Sequence, residues 1–266
     1  MGILNVTPDS FSDGGKYAAV DVAVKAGITM AEHGADIIDI GGESTRPYAD
    51  PVDAKTELAR VQTVIESLAQ SVDIPISIDT SKALVARRAI ESGAEIINDV
   101  TGLTGDPGMI DVAVDCGVGI CAMHMQGNPQ TMQDNPHYDD VVVEIDCYLK
   151  SRYETCLQAG IQEEAICLDP GIGFGKTHDH NLQLMRSISR FTAIGRPILI
   201  GHSRKGFIRK TLKRDRVDIE PYDPMAGTLG VSIAAAAAGA HVLRVHDVPQ
   251  TVQAIACFQA CRRQSA

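Results

Sequence analysis

Ile37-Ile-Asp-Ile40 runs directly into Gly41-Gly-Glu-Ser-Thr-Arg-Pro47, a short β-branched apolar run followed by a turn-forming, partly charged loop. The same pattern recurs along the chain. Gly2-Ile-Leu-Asn5 precedes it. Ile76-Ser-Ile-Asp79, Ile96-Ile-Asn98-Asp99, Ile120-Cys-Ala-Met-His124 and Ile166-Cys-Leu-Asp169 follow, then Ile198-Leu-Ile-Gly-His-Ser203 and Val242-Leu-Arg244-Val-His246. Runs of this length and composition read as strands buried on both faces, as in a parallel sheet. Eight of them, each with polar residues at its C-terminal end, predict an α/β fold, the (β/α)8 TIM barrel, with its active site at that end. An open doubly wound sheet shows the same alternation. Even spacing, and polar ends on all eight runs, favour the closed barrel.

Helical patterns fill the intervals. Val20, Val24, Ile28 and Ala31 form one stripe, and Leu58, Val61, Ile65 and Leu68 another. A helix is expected to start at Asp106-Pro107, with Asp as cap and Pro at the first position. Residues 138–159 give the longest helix, stopped by Gly160. Asp223-Pro224 opens a helix through Ala234–Ala238, with Gly239 as its stop. The last helix follows Val248-Pro249 and carries Val252, Ile255, Ala256 and Phe258. Three long loops, 7–17, 41–53 and 171–181, all fall at the C-terminal face, where such loops act as lids.

The chain has 266 residues, the length of one such barrel, and alternation without a linker predicts a single domain over residues 1–266. Forty-four per cent hydrophobic residues suffice for a sizeable core, and no apolar run is long enough to span a membrane. Met1 opens almost directly into a strand, which leaves no room for a secretory leader. A net charge of −10 argues against a nucleic-acid partner, which calls for a basic face. It is compatible with an anionic small molecule met by a few local cations. Seven cysteines without a Cys-x-x-Cys pair read as free buried thiols in a reducing cytoplasm, not as a zinc site.

Asp79, Asn98 and Asp169 place two carboxylates and an amide on nearby strand ends. Together they match the donor edge of an aminopyrimidine ring, whereas any one alone reads equally as a helix cap. Arg46, Arg204, Lys205 and Arg244 form a cationic set with His246 beside it, suited to phosphate or to stacking on a π-system. Arg244 and His246 alternate and so share a side of their strand. Arg60, Arg87 and Arg88 fit surface salt bridges instead. Gly171-Ile-Gly-Phe-Gly175 lacks the spacing of a dinucleotide fingerprint and reads as a tight turn beside a ligand. His124 reads as a satisfied core histidine, and His178 and His180 as solvent-exposed loop residues rather than a metal pair.

Further motifs extend this set. They are Met1-Gly-Ile-Leu-Asn-Val-Thr-Pro-Asp-Ser-Phe-Ser-Asp-Gly-Gly15, Ser77-Ile-Asp-Thr-Ser-Lys82, Met123-His-Met-Gln-Gly-Asn-Pro129, Leu168-Asp-Pro-Gly-Ile-Gly-Phe-Gly-Lys176, Ser203-Arg-Lys205 and Arg244-Val-His-Asp247. With Gly41–Pro47 and Ile97-Asn-Asp99 they cover nearly the whole chain in order. In these motifs the chain resembles the dihydropteroate synthase family of pterin-binding (β/α)8 enzymes.

The resemblance implies condensation of (7,8-dihydropterin-6-yl)methyl diphosphate with 4-aminobenzoate, giving 7,8-dihydropteroate and diphosphate, with Mg2+ assisting the leaving group. It implies a pterin site of Asp79, Asn98, Asp169, Lys205 and Arg244. Diphosphate falls to Asn5, Arg46, Arg244 and His246, with Asn5 as the metal contact. Aminobenzoate falls to Phe11, Thr45, Pro47, Phe174, Ser203 and Lys205. Asp13, Asp169, Lys205 and Arg244 would carry catalysis. A homodimer and sensitivity to sulfonamides are implied as well. Two features depart from the pattern. The strand-one motif begins at Met1, where relatives have a short preceding segment. Gly206 stands where a Ser is common, with His202 just upstream. Competing readings are a pterin-dependent methyltransferase with a corrinoid partner, and a non-catalytic pterin-binding protein.

Overall fold

The computed structural model describes residues 1–7, 15–214 and 223–262. Among these, strands and helices alternate. β1 (Gly2–Asn5), α1 (Gly15–Glu32), β2 (Ile38–Gly41), α2 (Ala54–Ala69), β3 (Ile76–Asp79) and α3 (Ala83–Glu91) make the first part. β4 (Ile96–Asp99), α4 (Met109–Cys116), β5 (Gly119–Met123), α5 (Val141–Gln158) and β6 (Ile166–Asp169) follow. Then come α6 (His178–Arg186), α7 (Ile188–Thr192), β7 (Leu199–Ile200), α8 (Gly206–Arg214), α9 (Pro224–Ala237), β8 (Val242–Leu243) and α10 (Val248–Arg262).

β1 to β6 pair in parallel and in chain order, and β7 pairs with β8. Single bridges close the two gaps, Leu168 to Ile198 and Gly2 to Val245. The second seam is reinforced by Ile3 N donating to Val245 O at 2.9 Å and Val245 N to Met1 O at 3.0 Å. The sheet therefore meets itself, and the fold is the (β/α)8 TIM barrel, not an open doubly wound sheet. The runs at 198–203 and 242–246 are only two-residue strands, because their later residues turn into the mouth of the barrel.

Alternation along each strand sorts side chains by face. Ile38, Ile40, Ile76, Ile78, Ile97, Ile120, Ile166, Leu168 and Ile200 join one apolar core with the helices. The intervening residues Asp39, Ser77, Asn98 and Cys121 are buried on the other face, inside the ring. The strands are thus buried on both faces, and the inner face mixes polar groups with apolar ones such as Met123 and Leu199. Parallel register puts Gly41 beside Asp79, Asp79 beside Asn98, and Met123 beside Asp169. Polar strand ends are gathered by pairing alone, before any loop is considered.

Most helix boundaries follow local chemistry. Asp53 caps α2, Asp140 caps α5, and Asp223 caps α9 with Pro224 at its first turn. Gly160 and Gly239 take positive φ just past their helices, as expected of stops. The Asp106-Pro107 start is corrected: α4 begins at Met109. The Asp106 carboxylate accepts from Gly108 N at 3.0 Å and from Ala83 N at 2.9 Å, so it caps the neighbouring α3 across space. The last helix, α10, carries Val252, Ile255, Ala256 and Phe258 as expected. Val248 and Thr251 are buried, whereas Val252 is 40% exposed and Ala256 is exposed. All seven thiols are free, but Cys147, Cys257 and Cys261 are exposed rather than buried. No helix among the described residues is long and apolar enough to cross a membrane.

Candidate active site at the barrel mouth

Inside the ring, Arg244 from the end of β8 reaches two other strands. Its Nε lies 2.6 Å from Asp39 Oδ2 and its Nη2 2.5 Å from Asp79 Oδ2. Asn98 Nδ2 donates to the same Asp39 oxygen at 3.1 Å. Two carboxyl groups, Asp39 fully buried and Asp79 nearly so, share one guanidinium. Burial, partly opposed by Arg244 and reinforced by Asp39, pushes the Asp79 carboxyl up to about 7. Burial works against the charge on Arg244, but Asp39 and Asp79 outweigh it and hold the guanidinium charged. Asp169 is buried beside them, its Oδ1 accepting from Gly171 N at 2.7 Å, and burial raises its carboxyl too.

Above this floor opens a cavity of about 810 Å3, lined by Asn5, Thr45, Arg46, Pro47, Asp79, Phe174, Ser203, Lys205, Arg244 and His246. Lys205 links its parts. Its ammonium donates to the Ile172 carbonyl and stands 4.4 Å above the Phe174 ring. Burial pulls the Lys205 pKa down to about 7, with Asp169 holding it up. Ser203 Oγ sits 2.9 Å from His246 Nδ1. Burial, then the Arg204 and Arg244 charges, drop His246 to about 4, so it is a neutral imidazole near pH 7. Arg46 is exposed on the β2 loop. Arg204 lines the cavity with its guanidinium committed to Asp247, 2.6 Å away.

The β6 loop is shaped by backbone geometry. Gly171 has φ 70°, and a Cβ there would overlap the His124 carbonyl. Lys176 is buried beneath it, donating to Phe174 O at 2.8 Å and lying 3.1 Å from His124 Nδ1. Burial drives Lys176 well below its usual range. Burial and Lys176 push His124 to about 3, so His124 is a neutral core histidine, as expected.

The structure gathers Asn5, Thr45, Arg46, Pro47, Asp79, Asn98, Asp169, Phe174, Ser203, Lys205, Arg244 and His246 at one end of the ring. Phe11 and Asp13 lie outside the described residues. Two expectations are corrected. His178 and His180 are on helix α6, not in a loop, and neither is exposed. His180 completes a capping box with Thr177, while both ring nitrogens of His178 are buried without a partner among the described residues. Among the described residues Arg60 makes no salt bridge but donates to Gly42 O at 2.7 Å, whereas Arg87 and Arg88 do pair on the surface. His202 is fully buried, 2.8 Å from Ser232 Oγ, and ties α9 to the sheet. Gly206 opens α8 with free space where a Cβ would stand.

Sequence reasoning passed over Asp39 and Lys176. Asp39 was visible as the one charged residue inside Ile37-Ile-Asp-Ile40, at an alternation point facing inward. Lys176 had no such signal, because its burial depends on the path of the β6 loop.

Magnesium takes oxygen ligands and is often held by one or two protein groups plus substrate phosphate. The described residues contain no group of three His, Cys, Asp or Glu placed to hold a metal. Asn5 lines the cavity, and its carboxamide oxygen would lie 3.7 Å from a Cβ on Gly41. One protein oxygen at a cationic rim fits a metal carried mainly by diphosphate.

The profile of the family described as "Pterin binding enzyme" matches residues 1–246. The chain is 46% identical over 260 residues to the dihydropteroate synthase of Escherichia coli (strain K12), covering 98% of this chain and 90% of that one. It is similar to the structure of Xanthomonas albilineans dihydropteroate synthase with 4-aminobenzoic acid: TM-score 0.90, 44% identity, 100% of this chain and 93% of that chain. It is also similar to Yersinia pestis dihydropteroate synthase in complex with a sulfonamide drug: TM-score 0.89, 43% identity, 98% and 93% covered. With this coverage, and a barrel whose mouth carries the expected polar set, the chain belongs to the dihydropteroate synthase family of pterin-binding enzymes.

Proposed function

We propose that this chain joins (7,8-dihydropterin-6-yl)methyl diphosphate to 4-aminobenzoate at the mouth of a single barrel domain, residues 1–266. The observation that carries the reading is one cavity that reaches from the Asp79 carboxylate, tied through Arg244 to the Asp39–Asn98 pair behind it, to a cationic rim. Asp79, Asn98 and Asp169 accept from and donate to the pterin ring edge, and Arg244 is fixed by Asp39 and Asp79 to pack against it. Lys205, between Asp169 and Phe174, contacts both the pterin and the aminobenzoate.

The bond from the pterin methylene to diphosphate breaks with the electron pair on the leaving oxygen. Arg46 and Arg244 meet the charge on that oxygen, and neutral His246 donates a hydrogen bond. Asp169 stabilises the cationic methylene, and the same charge role is assigned to Asp13. Bound to Asn5 and diphosphate, Mg2+ would supply further stabilisation of the leaving group. Thr45, Pro47, Phe174, Ser203 and Phe11 shape the approach of the aromatic amine, which is nucleophilic without a strong base. Catalysis then rests on positioning and electrostatics.

We further propose that sulfonamides compete in the aminobenzoate pocket, that the protein is a homodimer, and that it works in the cytoplasm. The test is diphosphate release with each substrate omitted in turn. Release that needs both supports the synthase. Release from the pterin diphosphate alone, or none at all, overturns it.

A further inference from the structure

We propose that Lys82 is a positioning residue for the aminobenzoate side of this site, acting through the base of the β2 loop. The inference rests on the reading above that Thr45, Arg46 and Pro47 serve that substrate. Lys82 does not line the cavity. Its ammonium lies between two carboxylates, 2.6 Å from Glu43 Oε2 and 2.6 Å from Glu57 Oε2. Glu57 is the fixed point, fully buried on α2. Glu43 is the moving point, the third residue of the Gly41–Asp53 loop, and it does line the cavity.

The other oxygen of Glu43 closes the loop on itself. Oε1 accepts from Val52 N at 2.9 Å, so one side chain stitches the outgoing limb to the returning limb nine residues later. Ser44, Thr45, Arg46, Pro47 and Tyr48 lie inside that stitch. Arg60 adds a second hold at the same base, through Gly42 O. A Cβ on Gly42 would come within 2.7 Å of Val61 and 3.0 Å of the Glu57 carbonyl, so the base lies hard against α2. The far end is anchored separately, by Tyr48 Oη to Asp134 at 3.0 Å and Gln130 Nε2 to Ala49 O at 3.2 Å. Removing the Lys82 ammonium leaves Glu43 and Glu57 facing each other without a countercharge. Repulsion then pushes the loop base off α2, while the pterin floor on β2, β3 and β4 keeps its strand-borne geometry.

The experiment compares Lys82→Met, Glu43→Gln, the double variant of these two, and Lys82→Arg with wild type, using Arg88→Ala, on the helix that follows Lys82, as a control. Lys82→Met should raise the KM for 4-aminobenzoate about ten- to a hundredfold, with the pterin dissociation constant in calorimetry unchanged. Glu43→Gln should shift KM the same way. The double variant should be no worse than Lys82→Met alone, and Lys82→Arg should restore most of the loss. Hydrogen exchange of the Val52 amide should speed up in Lys82→Met. A parallel loss of pterin affinity, an unchanged KM, or failure of Lys82→Arg to recover overturns the clamp. If wild type itself does not turn over, the synthase reading falls. The clamp is then decided by Val52 exchange alone: faster exchange supports it, unchanged exchange overturns it.

Discussion

Arg244 and Asp39 face each other inside the ring, with guanidinium Nε 2.6 Å from the carboxylate, although 205 residues separate them in the chain. The contact joins strands that are not neighbours, since β1 stands between β8 and β2. Arg244→Ala should therefore do more than weaken a ligand. It strands Asp39 and Asp79 as buried anions, a loss of about 3–5 kcal/mol in urea unfolding at pH 8. At pH 5 the raised Asp79 carboxyl takes up a proton, and the loss should shrink. An equal loss at both pH values would show that charge is not the cause.

Asp169→Ala and Asp79→Ala should each weaken pterin binding by about 1–3 kcal/mol or more, because ligand donors are left unpaired in a buried site. Calorimetry with a pterin ligand reads this directly. Unchanged affinity in both variants removes the acid floor from the pterin site.

His202 sets a pH-dependent share of stability. Its folded pKa, about 4, lies below the 6.5 of a free imidazole because of burial. As pH falls, the unfolded chain takes up the proton first. The contribution of the neutral ring is full above about 6.5 and lost down through 4. Asp79 and Asp99, raised to about 7 and about 6, act with the opposite sign in that range. The informative readout is therefore wild type minus His202→Gln. That gap should narrow by up to about 1.4 kcal/mol per pH unit between 6.5 and 4. A constant gap would mean that burial does not lower the pKa of the ring.

Gly171→Ala tests the β6 loop. At φ 70° a Cβ meets the His124 carbonyl, which is backbone and cannot rotate away. The loop must shift, moving Phe174 and the Lys205 contact with Ile172. Expected costs are about 1–3 kcal/mol in stability and a loss of aminobenzoate turnover larger than the loss of pterin affinity. Wild-type kinetics in this variant would show that the loop tolerates the side chain.

Arg46, exposed on the β2 loop, should couple the two substrates. Diphosphate with Mg2+ gives it an anion to engage, which offsets the entropy of ordering the loop. Labelled 4-aminobenzoate should bind weakly to free protein and far more tightly with pterin and diphosphate present. Arg46→Ala should reduce that enhancement more than pterin binding itself. Equal affinity in both conditions would point to a preformed aminobenzoate pocket.

The barrel and the location of its site were legible because both follow from local pattern. Ile76-Ser-Ile-Asp79 states a strand, its two faces and its polar end in four residues, and parallel pairing then brings Asp79 beside Asn98. What escaped depends on paths between elements. Asp106 looked like the cap of its own helix, yet it caps α3, because the turn at 106–108 lies against the N-terminus of α3. His178 and His180 looked like loop residues, although Thr177 offered a cap three positions before His180. Lys176 and Lys82 are cations whose partners, His124, Glu43 and Glu57, come from other βα units, and no spacing within one unit reveals them.

The polar lining of the ring carries a consequence for how such a protein can change. Asp39 Oδ1 and Ser77 Oγ are buried there without a partner among the described residues, and cohesion comes from the apolar shell outside the strands. Apolar substitutions along the axis would make a more stable barrel that recognises nothing. Substitutions in the surrounding loops leave that shell untouched while altering what enters. The architecture thus separates durability from selectivity: the outer strand faces answer for the first, and the mouth can be rewritten without asking them.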